Sequence, residues 1–148
     1  MQAIIPQPLE ILESSVPEDE APAWDAETEY TEGMKVIDNH YVFQALKENQ
    51  GRRPSDKGNS DMDGAPWLTV SVTNQWACLD IYSYTQTRAA EGETTLTITV
   101  PFPRPSTGIA LLNILATRMT ITVHDAEGEL LWGGEPIDLL QDSPGWWD

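Results

Sequence analysis

The sequence predicts an all-β fold, and three observations carry that expectation. Two runs alternate apolar and polar residues strictly, ThrLeuThrIleThrVal at 95–100 and MetThrIleThrValHisAsp at 119–125, the period of a half-buried strand. Runs rich in β-branched and aromatic residues recur at intervals of roughly ten residues, separated by turn formers. No stretch holds an apolar stripe through three helical turns. The expected architecture is a small three-stranded β module followed by a β-sandwich-like set of antiparallel strands, preceded by an extended acidic N-terminal arm.

The arm is assigned to residues 1–22. The first 34 residues contain no Lys, Arg or His, and residues 10–32 carry nine acids, with prolines at Pro6, Pro8, Pro17 and Pro22. Such a composition buries too little apolar surface to offset the entropy of ordering. The aliphatics Ile4, Ile5, Leu9, Ile11 and Leu12 cluster at its tip and are expected to order against a neighbouring subunit. The small β module is assigned to residues 23–67. Within it, residues 34–46 read as a hairpin with Asp38-Asn39 as its turn, and residues 47–66 as a polar, turn-rich loop. Residues 68–135 form the sandwich-like region. Its expected strands are Leu68–Thr73, Trp76–Tyr84, Thr94–Val100, 119–125 and Leu130–Trp132, with Ala126–Glu129 as a turn. Pro101, Pro103 and Pro105 end one strand, and Ile109–Leu115 is an apolar run with no clear period. Residues 136–148 are a C-terminal tail in which Trp146 and Trp147 are expected to serve as interface elements, since exposed paired tryptophans favour association.

Charge narrows the function classes. The 148 residues carry 24 acids and eight bases, for a net charge of −16. Binding to a phosphate backbone needs clustered Lys and Arg, so no nucleic-acid partner is expected, and an anionic membrane surface would repel the chain. No apolar run approaches the ~18 residues that cross a bilayer as a helix. The N-terminal sequence lacks the basic flank and apolar stretch of a signal peptide. The single cysteine, Cys78, forbids an internal disulfide and is read as a small core residue. A soluble protein folding in a reducing cytoplasm is expected.

Catalytic signatures are lacking. The sequence has no GxSxG elbow, HExxH pair, Walker loop or GxGxxG turn, so no catalytic residue and no cofactor is expected, and the chain is not expected to be an enzyme. His40 and His124 lie in expected strands without a ligand-spaced partner. Asn59–Gly64 fits the first half of a calcium loop, yet Val70 stands where a bidentate Glu is required. It is read as a polar turn, and no metal site is expected. The aromatics say more. Trp24, Tyr30, Tyr41 and Trp67 crowd one segment, where they serve either as the core of a small module or as a stacking platform for sugars.

Two resemblances follow from particular residues. Trp24, Tyr30 to Val36, Tyr41 to Ala45, Gly51 to Pro54 and Trp67 resemble the pattern of the small chitin-binding module (carbohydrate-binding family 5/12), a compact three-stranded β unit. That resemblance implies a glycan-contacting face. A longer one spans residues 24–132. Pro66-Trp67, then Val72-Thr73-Asn74-Gln75-Trp76-Ala77-Cys78-Leu79-Asp80, then Thr85-Gln86-Thr87, resemble a motif of tailed-bacteriophage virion proteins. Gln75 and Leu79 replace that motif's usual Arg and Phe. The resemblance implies a structural part of a tail, neck or baseplate, synthesised in the bacterial cytoplasm and placed in the virion. Its partners would be other virion proteins, with further copies of the chain in a ring or repeat and a host glycan as an alternative contact. Thr73, Asn74, Trp76 and Asp80 are expected to be structural, with Trp76 anchoring a core.

Overall fold

The computed structural model describes residues 9–80, 82, 85–102 and 108–139. The all-β class is as expected. Among the described residues, nine strands form four small antiparallel sheets, and the one helical element is a 3-10 turn at Ala77–Leu79. The chain divides into two compact units, Met1–Ile109 and Ala110–Asp148.

The first unit centres on a three-stranded sheet of β3 (Lys35–Asp38), β4 (Tyr41–Ala45) and β6 (Trp67–Val72), in the order β3-β4-β6. β3 and β4 form the expected hairpin, but Asp38 pairs with Tyr41, so the turn is Asn39-His40. Both residues have positive φ, 48° and 68°, as the tight turn that matches strand twist requires. His40 is therefore a turn residue and not a strand residue. The expected boundary at residue 67 falls at the start of β6, which pairs with β4 from Ala45↔Trp67 to Tyr41↔Val72. A bulge at Val42/Phe43 interrupts that ladder.

Sequence alternation puts Val36 and Phe43 on one face of this sheet, where they meet Tyr30, Ala45 and Trp67 in the core. β2 (Glu29–Tyr30) pairs with β5 (Asn49–Gln50) and brings Tyr30 over that face. The ring of Tyr30 meets Trp67 edge-on, with centroids 5.1 Å apart, a favoured aromatic geometry.

The N-terminal segment departs most from expectation. β1 (Glu13–Ser14) pairs with β7 (Ile98–Thr99). Leu12 N–H donates to Thr99 O at 2.8 Å, and Ser15 N–H to Thr97 O at 3.0 Å. Val16 is buried. Ala23 forms a parallel bridge with Ile37 and covers the free edge of β3. Residues 12–24 are thus part of the first unit's fold and not a free arm. Acids and prolines did not prevent this, because the segment docks through backbone and side-chain hydrogen bonds and needs little apolar surface of its own.

Three further expectations are corrected. The strand expected at Trp76–Tyr84 is replaced over its described part by the 3-10 turn, whose backbone N–H groups bond locally, Trp76 to Thr73 O, Leu79 to Trp76 O and Asp80 to Ala77 O, so they are not offered to a neighbouring strand. Cys78, expected in the core, is exposed on that turn. The strand expected at Thr94–Val100 shortens to β7, since its partner β1 offers only two residues.

The expected sandwich strands separate. β6 joins the first sheet, β7 pairs with β1, and β8 (Arg118–His124) pairs with β9 (Leu130–Asp138) in the second unit. β9 runs into the expected C-terminal tail. The β8–β9 turn closes as expected, with Asp125 Oδ1 accepting from the backbone N–H of Glu127 and Glu129 at 3.0 and 2.8 Å. A bulge between Thr120 and Thr122 is made at Gly133 and Gly134, both with φ near +90°. A Cβ on Gly133 would stand 2.0 Å from the carbonyl oxygen of Ile121, so only glycine fits there.

Candidate functional site

The four aromatics read as a core or a sugar platform separate into two groups. Tyr30 and Trp67 are interior. Their polar atoms are satisfied locally. The Tyr30 hydroxyl accepts from Asp25 N–H at 2.7 Å, and the Trp67 indole donates to Arg52 O at 2.6 Å. Tyr41 is 40% exposed, because it sits at the first position of β4 beside the turn. Trp24 is half-buried against the core. The Arg53 guanidinium stands 5.9 Å from the centre of its ring, within cation–π range. Its indole Nε1 is buried with no partner among the described residues.

Arg53 also holds Asp38, a buried carboxylate at the end of β3. It donates from Nε at 3.0 Å and from Nη2 at 2.8 Å, and Ser55 N–H adds a third bond at 3.0 Å. Burial alone would raise the Asp38 pKa. The hydrogen bonds from Arg53 and Ser55, with the Arg53 charge, outweigh it and hold the carboxyl below its ordinary value.

The residues resembling the virion motif form a clamp around two distant segments. Thr73 is fully buried, and its hydroxyl donates to Glu18 Oε1 at 2.7 Å. Asn74 N–H donates to Glu20. The Asn74 side chain bonds Arg88 twice, donating to its carbonyl and accepting from its N–H, both at 2.9 Å. Gln75 Nε2 donates to Val16 O at 2.9 Å. Thr85 donates to Asp80 Oδ2 at 3.1 Å, and Thr87 Oγ1 accepts from Cys78 N–H at 2.8 Å. Residues 73–80 thus tie the 16–20 segment to the 85–88 segment. Trp76, expected to anchor a core, is half-buried and stacks on His40 with ring centres 3.9 Å apart. The turn lifts it away from the Tyr30–Trp67 cluster, and its Nε1 is buried without a partner among the described residues.

His40 Nδ1 lies 3.1 Å from Glu18 Oε1, so a carboxylate, an imidazole and a hydroxyl meet at one point. The order is wrong for nucleophile activation. Glu18 stands between Thr73 and His40, whereas a catalytic triad places the imidazole between hydroxyl and carboxylate. The cluster joins segments and does not take a proton from Thr73. The Asn59–Gly64 turn is likewise committed internally. Asn59 Oδ1 accepts from Arg52 Nε and Nη2, and Asp61 accepts from the backbone N–H and hydroxyl of Thr69.

Of the expected interface aliphatics, Leu9 and Ile11 are half-buried and Leu12 is exposed. Ile4, Ile5, Trp146 and Trp147 lie outside the described residues. Glu18 was not singled out from sequence, and His40, Gln75, Asp38 and Arg53 were noted there only as a strand, motif, turn and loop residue and not as members of these clusters. A weak signal existed for one pair: an acid ending a strand before a two-residue turn, with Arg53 beside a proline in the loop that follows. Glu18 gave none, since 55 residues separate it from Thr73.

No family model, curated protein or solved structure matches the chain. Fold and clamp together define a class of protein: a strongly acidic, all-β chain of small sheets held by side-chain hydrogen bonds between distant segments.

If the clamp holds the N-terminal segment, Glu18→Ala should raise amide exchange at Leu12 and Ser15 by tenfold or more, leaving the β3–β4 amides unchanged. That factor corresponds to about 1.4 kcal/mol, the scale of one charge-assisted hydrogen bond. Hydrogen exchange read residue by residue checks it, and unchanged rates at Leu12 and Ser15 would refute the clamp.

Proposed function

We propose that this chain is a structural component of a tailed-bacteriophage virion, in the tail, neck or baseplate, and that it acts in assembly through protein–protein contacts. The observation that carries this reading is the use made of the motif residues. Thr73, Asn74 and Asp80 spend their polar groups on neighbouring segments of the chain, and Trp76 stacks on His40. A motif used in that way builds a shape and does not present a reactive group. The extreme negative charge suits a part that must stay soluble before it assembles.

Quantitative mass spectrometry of purified particles tests the proposal. The chain should appear at a fixed, repeated stoichiometry relative to the major capsid protein, and antibody labelling should decorate one end of the particle. Presence in infected-cell lysate with absence from purified particles would overturn it.

The carbohydrate-binding reading rests on a narrower observation, the solvent-facing Tyr41 together with the half-buried Trp24 and its unpartnered indole nitrogen. It has lost Tyr30 and Trp67 as stacking surfaces, because a ring inside the core cannot meet a sugar. Two rings, one of them half-buried, make a poorer platform than the four that the sequence offered.

A further inference from the structure

Residues 12–20 lie in a groove that holds them almost wholly by hydrogen bonds. Its walls are β7, residues 73–75 and the turn residue His40. Leu12 and Ser15 donate their N–H groups to Thr99 O and Thr97 O at 2.8 and 3.0 Å, and Ser15 Oγ accepts from Thr97 N–H at 2.9 Å. An extended peptide adds to a sheet edge in this manner. The other bonds run from donors of the groove to acceptors of the segment. The Thr73 hydroxyl donates to Glu18, the Asn74 N–H to Glu20 and Gln75 Nε2 to Val16 O, and His40 Nδ1 stands beside the Glu18 carboxylate. Val16 is the one side chain of residues 12–20 that is buried. The groove therefore reads an extended strand with two carboxylates two residues apart and a small apolar side chain just before them.

A segment held this way lifts at low cost. Water replaces its hydrogen bonds, and little apolar surface is exposed. The chain bends at Glu20-Ala21, and beyond the bend Ala23 and Trp24 are fixed on Ile37. The bend is the pivot, and the core cluster contains none of residues 12–20. An open groove would face one sequence that the structure shows to fit it, the same segment of a second copy. Two chains of net charge −16 repel where acids face acids, but here the incoming Glu18 and Glu20 meet hydrogen-bond donors. The bonds that close within one chain close equally between two, which makes exchange of an identical element a low-cost route to association. A tethered segment competes at an effective concentration of order millimolar. Exchange therefore needs copies held at comparable concentration, as repeated copies in an assembly are.

We infer that residues 12–20 exchange between copies of this chain, the segment of one docking in the groove of the next. The inference rests on the assembly reading above and names the partner, a second copy, and the site of contact. The dilute chain keeps its own segment in its own groove and stays monomeric. Copies held together turn the same bonds into links.

Two full-length variants with complementary lesions test this. Glu18→Ala damages the segment and keeps the groove, whereas Thr73→Val damages the groove and keeps the segment. Neither variant alone can make the Glu18–Thr73 bond, within a chain or between its own copies, but an equimolar mixture can. The mixture is equilibrated at high concentration with one variant dye-labelled, then followed by sedimentation velocity. It should form a one-to-one heterodimer about tenfold tighter than the self-association of either variant, the factor for one hydrogen bond to a charged group. Glu18→Ala mixed with Val16→Ala, both damaged in the segment, should gain nothing. Protected amides in β3 and β4 report that each variant remains folded. A mixture of Glu18→Ala and Thr73→Val no more associated than its components would overturn the inference, as would an equal gain from the two mixtures. The assembly proposal fails separately. A stoichiometric particle component whose variants do not complement sinks only this exchange, and a complementing chain absent from particles sinks only the virion reading.

Discussion

Trp67→Ala is expected to destabilise the first unit by about 3–5 kcal/mol, the usual cost of truncating a buried aromatic. The indole has no solvent exposure, and it packs in the cluster with Tyr30, Val36, Phe43 and Ala45. Truncation removes the edge-on contact with Tyr30 and leaves the carbonyl of Arg52 without its 2.6 Å donor. A loss of that size is a large share of the 5–15 kcal/mol that holds a typical domain together. Urea denaturation followed by circular dichroism checks it, through the midpoint at constant slope. Tyr41→Ala, at an exposed strand end, should cost under about 1 kcal/mol. The pair also separates the two functional readings. A Trp67→Ala protein of wild-type stability that had lost binding to chitin oligomers would place the ring in a sugar site and overturn its role as core.

The contrast between Trp67 and Trp76 shows where the sequence was legible. Trp67 opens a run, TrpLeuThrValSerVal, whose composition specifies a strand, and that strand formed as β6. The hairpin at 34–46 and the alternating run at 119–125 were equally readable, because strand period and turn chemistry are local properties. Trp76 lies in a stretch just as rich in apolar residues, yet it became the shoulder of a 3-10 turn. The deciding groups were Glu18, Glu20 and Arg88, which are remote in sequence. Side chains that bond across 54 or 55 residues leave no trace in a local pattern. For the same reason residues 12–24 read as a free acidic arm. Their composition is that of a disordered segment, and what orders them is a strand edge and a strand partner supplied by Ile37 and Thr99. The candidate site fared likewise. The residue types at 73–76 and 80 could be picked out as structural, but not the segments they would hold.

Asp38 provides a test in which protonation is the variable. Its carboxylate joins the end of β3 to the loop carrying Arg53 and Ser55, and that loop also supplies the carbonyl of Arg52 to Trp67. Asp38→Asn keeps the shape and removes the charge. It leaves the amide as a poorer acceptor for the Arg53 fork and should cost about 1–3 kcal/mol at neutral pH, the range for hydrogen bonds to a charged group. The pH dependence follows from the direction of the shift. Burial raises the Asp38 pKa, but the bonds from Arg53 and Ser55 prevail and hold it below its ordinary value in the folded chain. A depressed carboxylate contributes stability that is fully present above the unfolded-state pKa of about 3.9 and disappears as pH falls through the lower folded value. The stability difference between wild type and Asp38→Asn should therefore hold steady from about pH 7 to pH 5 and shrink below about pH 4. The many other acids of this chain titrate in both proteins and largely cancel in the difference. Urea midpoints measured for the two proteins across that range decide the matter. A gap that persists unchanged well below pH 4 would mean that the carboxylate's charge contributes nothing and that the substitution acts through packing alone.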